Sequence, residues 1–175
     1  MKLKKFLFNN VKSTNNTALR FIKNGNSNGA ILSELQSEGR GQRGNKWISK
    51  KGNLFMTVFF KISKKLTLKK ITQLNLLIIK KIISKIIKAK VSVKLPNDIL
   101  VDKKKICGIL QETIEIDGIK YLIVGIGLNL IKSPNINNYH TTDLYELTKT
   151  KISVNKMSKE LIIIYKNFLK SQKVF

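Results

Sequence analysis

The sequence predicts an α+β fold: a mixed β-sheet with helices packed mainly on one face. Three observations carry this expectation. Runs of β-branched and aromatic residues recur at 3–8, 30–35, 54–60, 105–115 and 121–126. Some of these runs are separated by helical patterns and others by two-residue turns, so crossover and hairpin connections are mixed. Two amphipathic stretches, 67–89 and 154–169, are long enough to cover a sheet. With 175 residues, 42% of them hydrophobic, and only two prolines, the chain is long enough to bury one real core.

Taken in order, residues 3–8 read as a first strand. Ser13 or Thr14 then caps a helix that runs through Ala18, Leu19, Phe21 and Ile22 and stops at Gly25. A second strand at 30–35 ends in Gln36, and a glycine-rich loop follows. The strand at 54–60 leads into the long helix 67–89, whose stripe is Ile71, Leu74, Ile78, Ile82 and Ile86, widened by Ile79 and Ile83. A brief strand at 91–94 is interrupted by Leu95-Pro96-Asn97-Asp98, because Pro96 lacks a ladder donor and keeps its predecessor extended. Strands at 99–101 and 105–115 follow, with a turn at 102–104. Asp117-Gly118 is a two-residue hairpin signal that pairs 121–126 back. A polar loop at 133–140, a helical turn at 143–147 and the helix 154–169 complete the chain.

Charge bounds the function class. Lys+Arg 34 against Asp+Glu 10 gives +24, which favours acidic partners such as nucleotides, nucleic acid or an acidic protein. The lysines are spread along the chain instead of clustered, so most of this charge reads as compositional drift. The single cysteine excludes an internal disulfide and fits a reducing compartment. Residues 1–10 lack a signal-peptide core, and no apolar run reaches membrane-spanning length, so a soluble, cytoplasmic protein is expected.

The chemistry concentrates in a few places. In Gly39-Arg40-Gly41-Gln42-Arg43-Gly44-Asn45-Lys46-Trp47, glycines alternate with cations and an indole closes the run. Such a loop brings backbone N–H groups close to an anion, while arginine grips phosphate and the indole offers a stacking face. Alone, this reads equally well as a solvated basic loop. The bend at 94–98, the strand at Lys105 and the strand end Gly125-Ile126-Gly127-Leu128-Asn129 also carry small or charged residues. Together they suit an anionic nucleotide with a divalent metal, for which Asp98 is the hard-oxygen ligand. No activated nucleophile is evident: Ser13 has no histidine partner, His140 is the sole histidine, and Cys107 sits in an apolar strand. There is no zinc spacing and no Walker A sequence, so the reaction is expected to run on positioning and charge stabilisation.

These motifs carry a resemblance. Ser13-Thr14-Asn15, the loop at 39–47, Lys94-Leu95-Pro96-Asn97-Asp98, Lys105-Ile106-Cys107-Gly108-Ile109-Leu110-Gln111-Glu112 and the strand end at 125–129 occur in the order seen in biotin protein ligases. The resemblance implies a sheet related to class II aminoacyl-tRNA synthetases. It implies ATP-dependent activation of biotin as biotinyl-5′-AMP, then transfer to a lysine of a biotin carboxyl carrier protein, as in acetyl-CoA carboxylase. By the same resemblance, Ser13, Thr14, Asn15, Gln36, Arg40, Gly41, Gln42, Lys105 and Gly108 are expected at biotin. Arg43, Trp47, Lys94, Asn97 and Asn129 are expected at ATP or the adenylate, and Asp98 at Mg²⁺. Lys105 and Arg40 are the expected charge stabilisers.

Departures from the family pattern are visible. Gln42 and Asn45 stand where further arginines are usual, which implies a weaker hold on the reactive adenylate; release rates compared with Gln42→Arg test this. Leu95 replaces a usual tryptophan. The expectation is a single catalytic domain over 1–175, with neither an N-terminal helix-turn-helix domain nor the family's small C-terminal β domain. Specific DNA binding and membrane association are not expected. Two rivals remain. A lipoate protein ligase would show an Arg-Arg-x-Ser-Gly-Gly-Gly loop and a His-Asp pair, both missing here. A nucleic-acid-binding module would interleave aromatic and basic residues on a sheet face.

Overall fold

The computed structural model describes residues 3–63 and 67–171. The elements are β1 (Lys5–Val11), α1 (Thr14–Lys23), β2 (Asn28–Gln36), β3 (Leu54–Lys61), α2 (Leu68–Ser84), β4 (Val91–Lys94), β5 (Asp98–Val101), β6 (Lys104–Ile116), β7 (Ile119–Leu128), α3 (Leu144–Thr148) and α4 (Val154–Ser171). The seven strands form one sheet in the order β1-β2-β3-β7-β6-β5-β4. β1 pairs with β2 in parallel across the α1 crossover, and every other neighbouring pair is antiparallel. The expected mixed sheet is therefore present.

Strand alternation sorts the side chains onto two faces. Leu54, Met56, Val58 and Phe60 of β3, with Leu122, Val124 and Ile126 of β7, bury against Ile79 and Ile83 of α2 and Leu161 and Tyr165 of α4. The opposite face carries Ile31, Phe59 and Ile123 beneath Ala18 and Ile22 of α1. Phe21 of α1 meets Phe6 of β1 edge-on at 4.5 Å. Two long helices thus cover one face and one short helix part of the other. Beyond α1, that second face is covered by the glycine-rich loop, whose Trp47 lies against β6 and β7.

Turn chemistry matches the sequence. Asp117 and Gly118 both adopt positive φ, 50° and 73°, as a two-residue hairpin requires. Asp102 and Lys103 do the same between β5 and β6, at 46° and 66°.

Three expectations need correction. The first strand spans Lys5–Val11, later than 3–8, because its partner strand pairs it up to Val11↔Gln36. The long helix stops at Ser84, not at 89. There Lys85 N–H bonds Ile82 O (3.2 Å) and Ile86 N–H bonds Ile83 O (2.9 Å), tightening the chain before it enters β4. The buried stripe of α2 also differs: Leu74 is 36% exposed, and Asn75 is buried. Asn75 takes the inner position because it has partners there. Its Nδ2 donates to Gln111 Oε1 at 2.9 Å, and Tyr165 Oη donates to its Oδ1 at 2.7 Å. Burial pushes the Tyr165 hydroxyl pKa up, so it stays a neutral donor.

Asn53 pins the chain where it leaves β7. Its buried Oδ1 accepts from the backbone N–H groups of Leu130 (2.9 Å), Ile131 (3.1 Å) and Lys132 (3.3 Å), and its Nδ2 donates to Lys132 O at 2.6 Å. Leaving these buried amides unpaired costs about 1–3 kcal/mol. Asn53→Ala should therefore lower the unfolding free energy by about 1–3 kcal/mol, read as a lower denaturant midpoint at unchanged m. An unchanged midpoint would show that the amides find other partners.

Candidate functional site

The site begins where β1 hands the chain to α1. Ser13 is extended, with φ −153° and ψ 137°, and its hydroxyl accepts from Asn16 N–H at 3.5 Å, a long cap. Thr14 N–H donates to Gln36 Oε1 at 2.8 Å, and the Thr14 hydroxyl lies 3.0 Å from the same oxygen. From the sheet below, the Thr57 hydroxyl donates to Asn15 Oδ1 at 2.7 Å and sits 2.8 Å from Thr14 Oγ1. Asn15 Nδ2 donates to Leu110 O (3.2 Å) and to Glu112 Oε2 (2.7 Å). The Asn15 amide is thus filled by protein partners and forms floor. It rests directly on Gly125, where any Cβ would stand 2.3 Å from Asn15 Oδ1.

The loop after β2 folds back on itself. Trp47 N–H donates to Gly39 O at 2.9 Å and Gly41 N–H to Asn45 O at 2.7 Å. The sequence showed no regular structure here, yet a single 3-10 turn, Gln42–Gly44, closes the tip with Arg43 at φ 54°. Arg40 reaches back to the sheet. Its Nη2 pairs with Glu112 Oε1 and its Nη1 donates to Asn16 Oδ1.

Trp47 then lies on bare backbone. Gly108 of β6 and Gly127 of β7 are register partners. A Cβ at Gly108 would come within 2.7 Å of the indole, and one at Gly127 within 2.4 Å. Only a glycine pair leaves room for the ring. Beside it, Lys105 Nζ sits 5.4 Å from the Trp47 ring centre, 5.2 Å from that of Tyr139 and 2.9 Å from Asp98 Oδ1. The Lys105–Asp98 contact is an ion pair without the angle of a hydrogen bond, since Asp98 Oδ1 has no hydrogen-bond donor. Both side chains are largely covered, at 15% and 20% exposure, so water screens the pair less than it would on the surface.

These groups surround a cavity of about 570 Å³, within the usual size of organic-ligand pockets. Of the residues expected at biotin, Ser13, Thr14, Asn15, Gln36, Arg40 and Gly41 line it, as do Gln42, Lys105 and Gly108. Trp47, Asn97 and Asp98 line it too. Three expected residues do not. Arg43 is exposed at the loop tip, and Lys94 is exposed at the end of β4, paired in register with Asp98. Asn129 is buried, and its Nδ2 donates to Thr142 O at 3.1 Å, tying the end of β7 to the segment before α3.

Two residues of the site escaped sequence reasoning. Thr57 is the lone hydroxyl in the otherwise apolar core of β3, which is the signal that would have flagged it. Glu112 lies in a motif the sequence showed, but nothing in sequence assigns it a partner.

The chemistry follows from the inventory. Cys107 is buried, and burial pushes its thiol well up, so it is a core residue and no nucleophile. Among the described residues, no group of three His, Cys, Asp or Glu side chains could hold a metal ion. A single carboxylate, Asp98, fits a Mg²⁺ carried on a nucleotide's phosphates but not a metal held by protein alone.

The α+β domain thus sets Arg40, Lys105 and the Trp47 indole around a cavity floored by glycines. A profile of the Biotin/lipoate A/B protein ligase family matches residues 7–129, and the chain belongs to that family. It is 34% identical over 131 residues to the Bifunctional ligase/repressor BirA of Bacillus subtilis (strain 168), covering 71% of this chain and 40% of that protein. The chain thus spans about two fifths of that relative's length. Among solved structures it resembles a biotin protein ligase from Aquifex aeolicus in complex with biotin and ATP, with TM-score 0.80 and 26% identity, covering 97% of this chain and 72% of that one. A biotin protein ligase from Leishmania major in complex with biotin superposes with TM-score 0.73 and 26% identity, over 90% of this chain and 69% of that one.

The glycine floor generates a prediction. Gly127→Ala should drive the indole off the sheet with little loss of stability, because Trp47 is half-buried on a surface loop. As Trp47 is the sole tryptophan, its emission should shift to longer wavelength. Emission identical to the natural protein would contradict the packing.

Proposed function

We propose that this domain joins biotin to ATP as biotinyl-5′-AMP and passes the biotin to a lysine of a biotin carboxyl carrier protein. The observation that carries this reading is the convergence of Arg40 and Lys105 on one glycine-floored cavity. The family and the biotin- and ATP-bound structures it resembles support the choice of substrates.

The difficulty of the first step is electrostatic. Biotin's carboxylate oxygen must attack the α-phosphorus of ATP while pyrophosphate departs, so two anions must meet. At an effective dielectric of about 20, unit charges 4 Å apart repel by roughly 4 kcal/mol. Lys105 opposes that repulsion. Its ammonium faces Asp98, and an arriving carboxylate would take over one side of it. Arg40 approaches from the loop and would grip biotin's carboxylate and, once the adenylate forms, its phosphate. Mg²⁺ bound to the triphosphate, with Asp98 supplying one oxygen, would neutralise further charge. Trp47 would hold the adenine by stacking. In the second step the acceptor lysine's amine attacks the mixed-anhydride carbonyl. The C–O bond to phosphate breaks, AMP leaves with its charge, and the amine gives up a proton. No residue of this chain forms a covalent intermediate. The carrier of acetyl-CoA carboxylase is the acceptor this reading favours.

A lipoate ligase is the chemical rival, and the glycine–arginine loop argues against it. Biotin-dependent exchange of pyrophosphate into ATP separates the two. The natural protein should catalyse it with biotin and not with lipoate. Lys105→Ala should lower it by roughly 10²-fold or more, since such a charge acts mainly in the transition state, while the protein stays folded. Exchange at the natural rate in that variant would remove Lys105 from the mechanism.

A further inference from the structure

We infer that Glu112 is a positioning residue: it holds Arg40 from behind so that the guanidinium faces the ligand's anion. Glu112 lines no part of the cavity, whereas Arg40 does. Its two carboxylate oxygens work in opposite directions. Oε1 accepts from Arg40 Nη2, and Oε2 accepts from Asn15 Nδ2 at 2.7 Å. The loop's cation is thereby fastened to a buried amide, which rests in turn on the sheet.

The fastening continues. Asn15 Oδ1 takes the Thr57 hydroxyl at 2.7 Å, and Thr57 touches Thr14 at 2.8 Å. Thr14 meets Gln36, whose Nε2 donates to Ser49 Oγ at 3.3 Å. A single run of polar contacts therefore starts on one limb of the glycine-rich loop, at Arg40, crosses the floor of the site and ends on the other limb, at Ser49. Glu112 is its sole carboxylate. Without it, the Arg40 guanidinium keeps only Asn16 among the described residues, and Asp98 in the same cavity becomes the competing anion.

Two physical points separate this role from plain stabilisation. The Arg40–Glu112 pair is partly exposed, at 42% and 31%, and pairs of that kind add little to global stability. The five N–H donors of Arg40 are also only partly spent on Glu112 and Asn16, so the grip orients the fork and leaves it free to bind. What Glu112 supplies is placement, and misplacing such a group by about 1 Å costs up to roughly 10²-fold.

This inference rests on the ligase reading for the identity of the anion, so the experiment carries two readouts. The first is acrylamide quenching of Trp47, the sole tryptophan, which reports loop placement without any ligand. The second is the affinity for biotin by titration. Glu112→Gln should raise the quenching constant about twofold and weaken biotin about tenfold, with the unfolding midpoint nearly unchanged. The exchange variant R40E/E112R restores the ion pair and should recover natural quenching but not biotin affinity, because a carboxylate then faces the ligand. Glu112→Asp, one methylene short, should move both readouts in the same direction by less, and it serves if the glutamine variant fails to fold. Natural quenching and natural affinity in Glu112→Gln would overturn the inference. If the natural protein bound no biotin at all, the ligase reading would fall, while the quenching comparison would still decide the role of Glu112.

Discussion

The site depends on one register. β6 pairs with β7 so that Gly108 faces Gly127, and this leaves a strip of sheet without side chains. A slip of one residue would turn Cys107 or Ile109 and Ile126 or Leu128 to that face, and the indole of Trp47 would have nowhere to lie. The hairpin turn at Asp117-Gly118 fixes the register from one end. The apolar side of the same strands, packed under α2 and α4, fixes it along its length. Packing energy on one face thus sets the position of glycines on the other.

A second constraint is polar. The face beneath α1 buries Thr14, Asn15 and Thr57, and such groups are costly unless they are paired. Their contacts satisfy one another and reach Glu112 and Gln36 at either side. The N-terminus of α1, the strand β6 and both limbs of the loop are therefore tied to each other through side chains. Through Glu112 these contacts reach Arg40 on the loop.

Much of this was legible in the sequence. Runs of β-branched and aromatic residues mark the strands, Asp117-Gly118 marks its hairpin, and glycines alternating with cations mark the loop. What sequence could not supply were choices made by tertiary partners. Asn75 faces inward and Leu74 outward because Gln111 and Tyr165 wait on the inner side, and no helical period reveals that. Lys94, Arg43 and Asn129 lie in the expected motifs, yet none of them lines the cavity: the first two are exposed and the third is buried at the end of β7. Glu112 illustrates the converse. Four residues along β6 from Gly108, it shares that residue's face, but its partner lies 72 positions earlier.

Biotin activation in this cavity requires Arg40 and Lys105 to attend the same anion above the Gly108–Gly127 floor. The most direct measurement is a crystal structure with a non-hydrolysable biotinyl-adenylate analogue. It should show the analogue's anionic linkage within hydrogen-bond reach of both side chains and its adenine against Trp47. An analogue seated elsewhere, or contacting neither cation, would contradict the account.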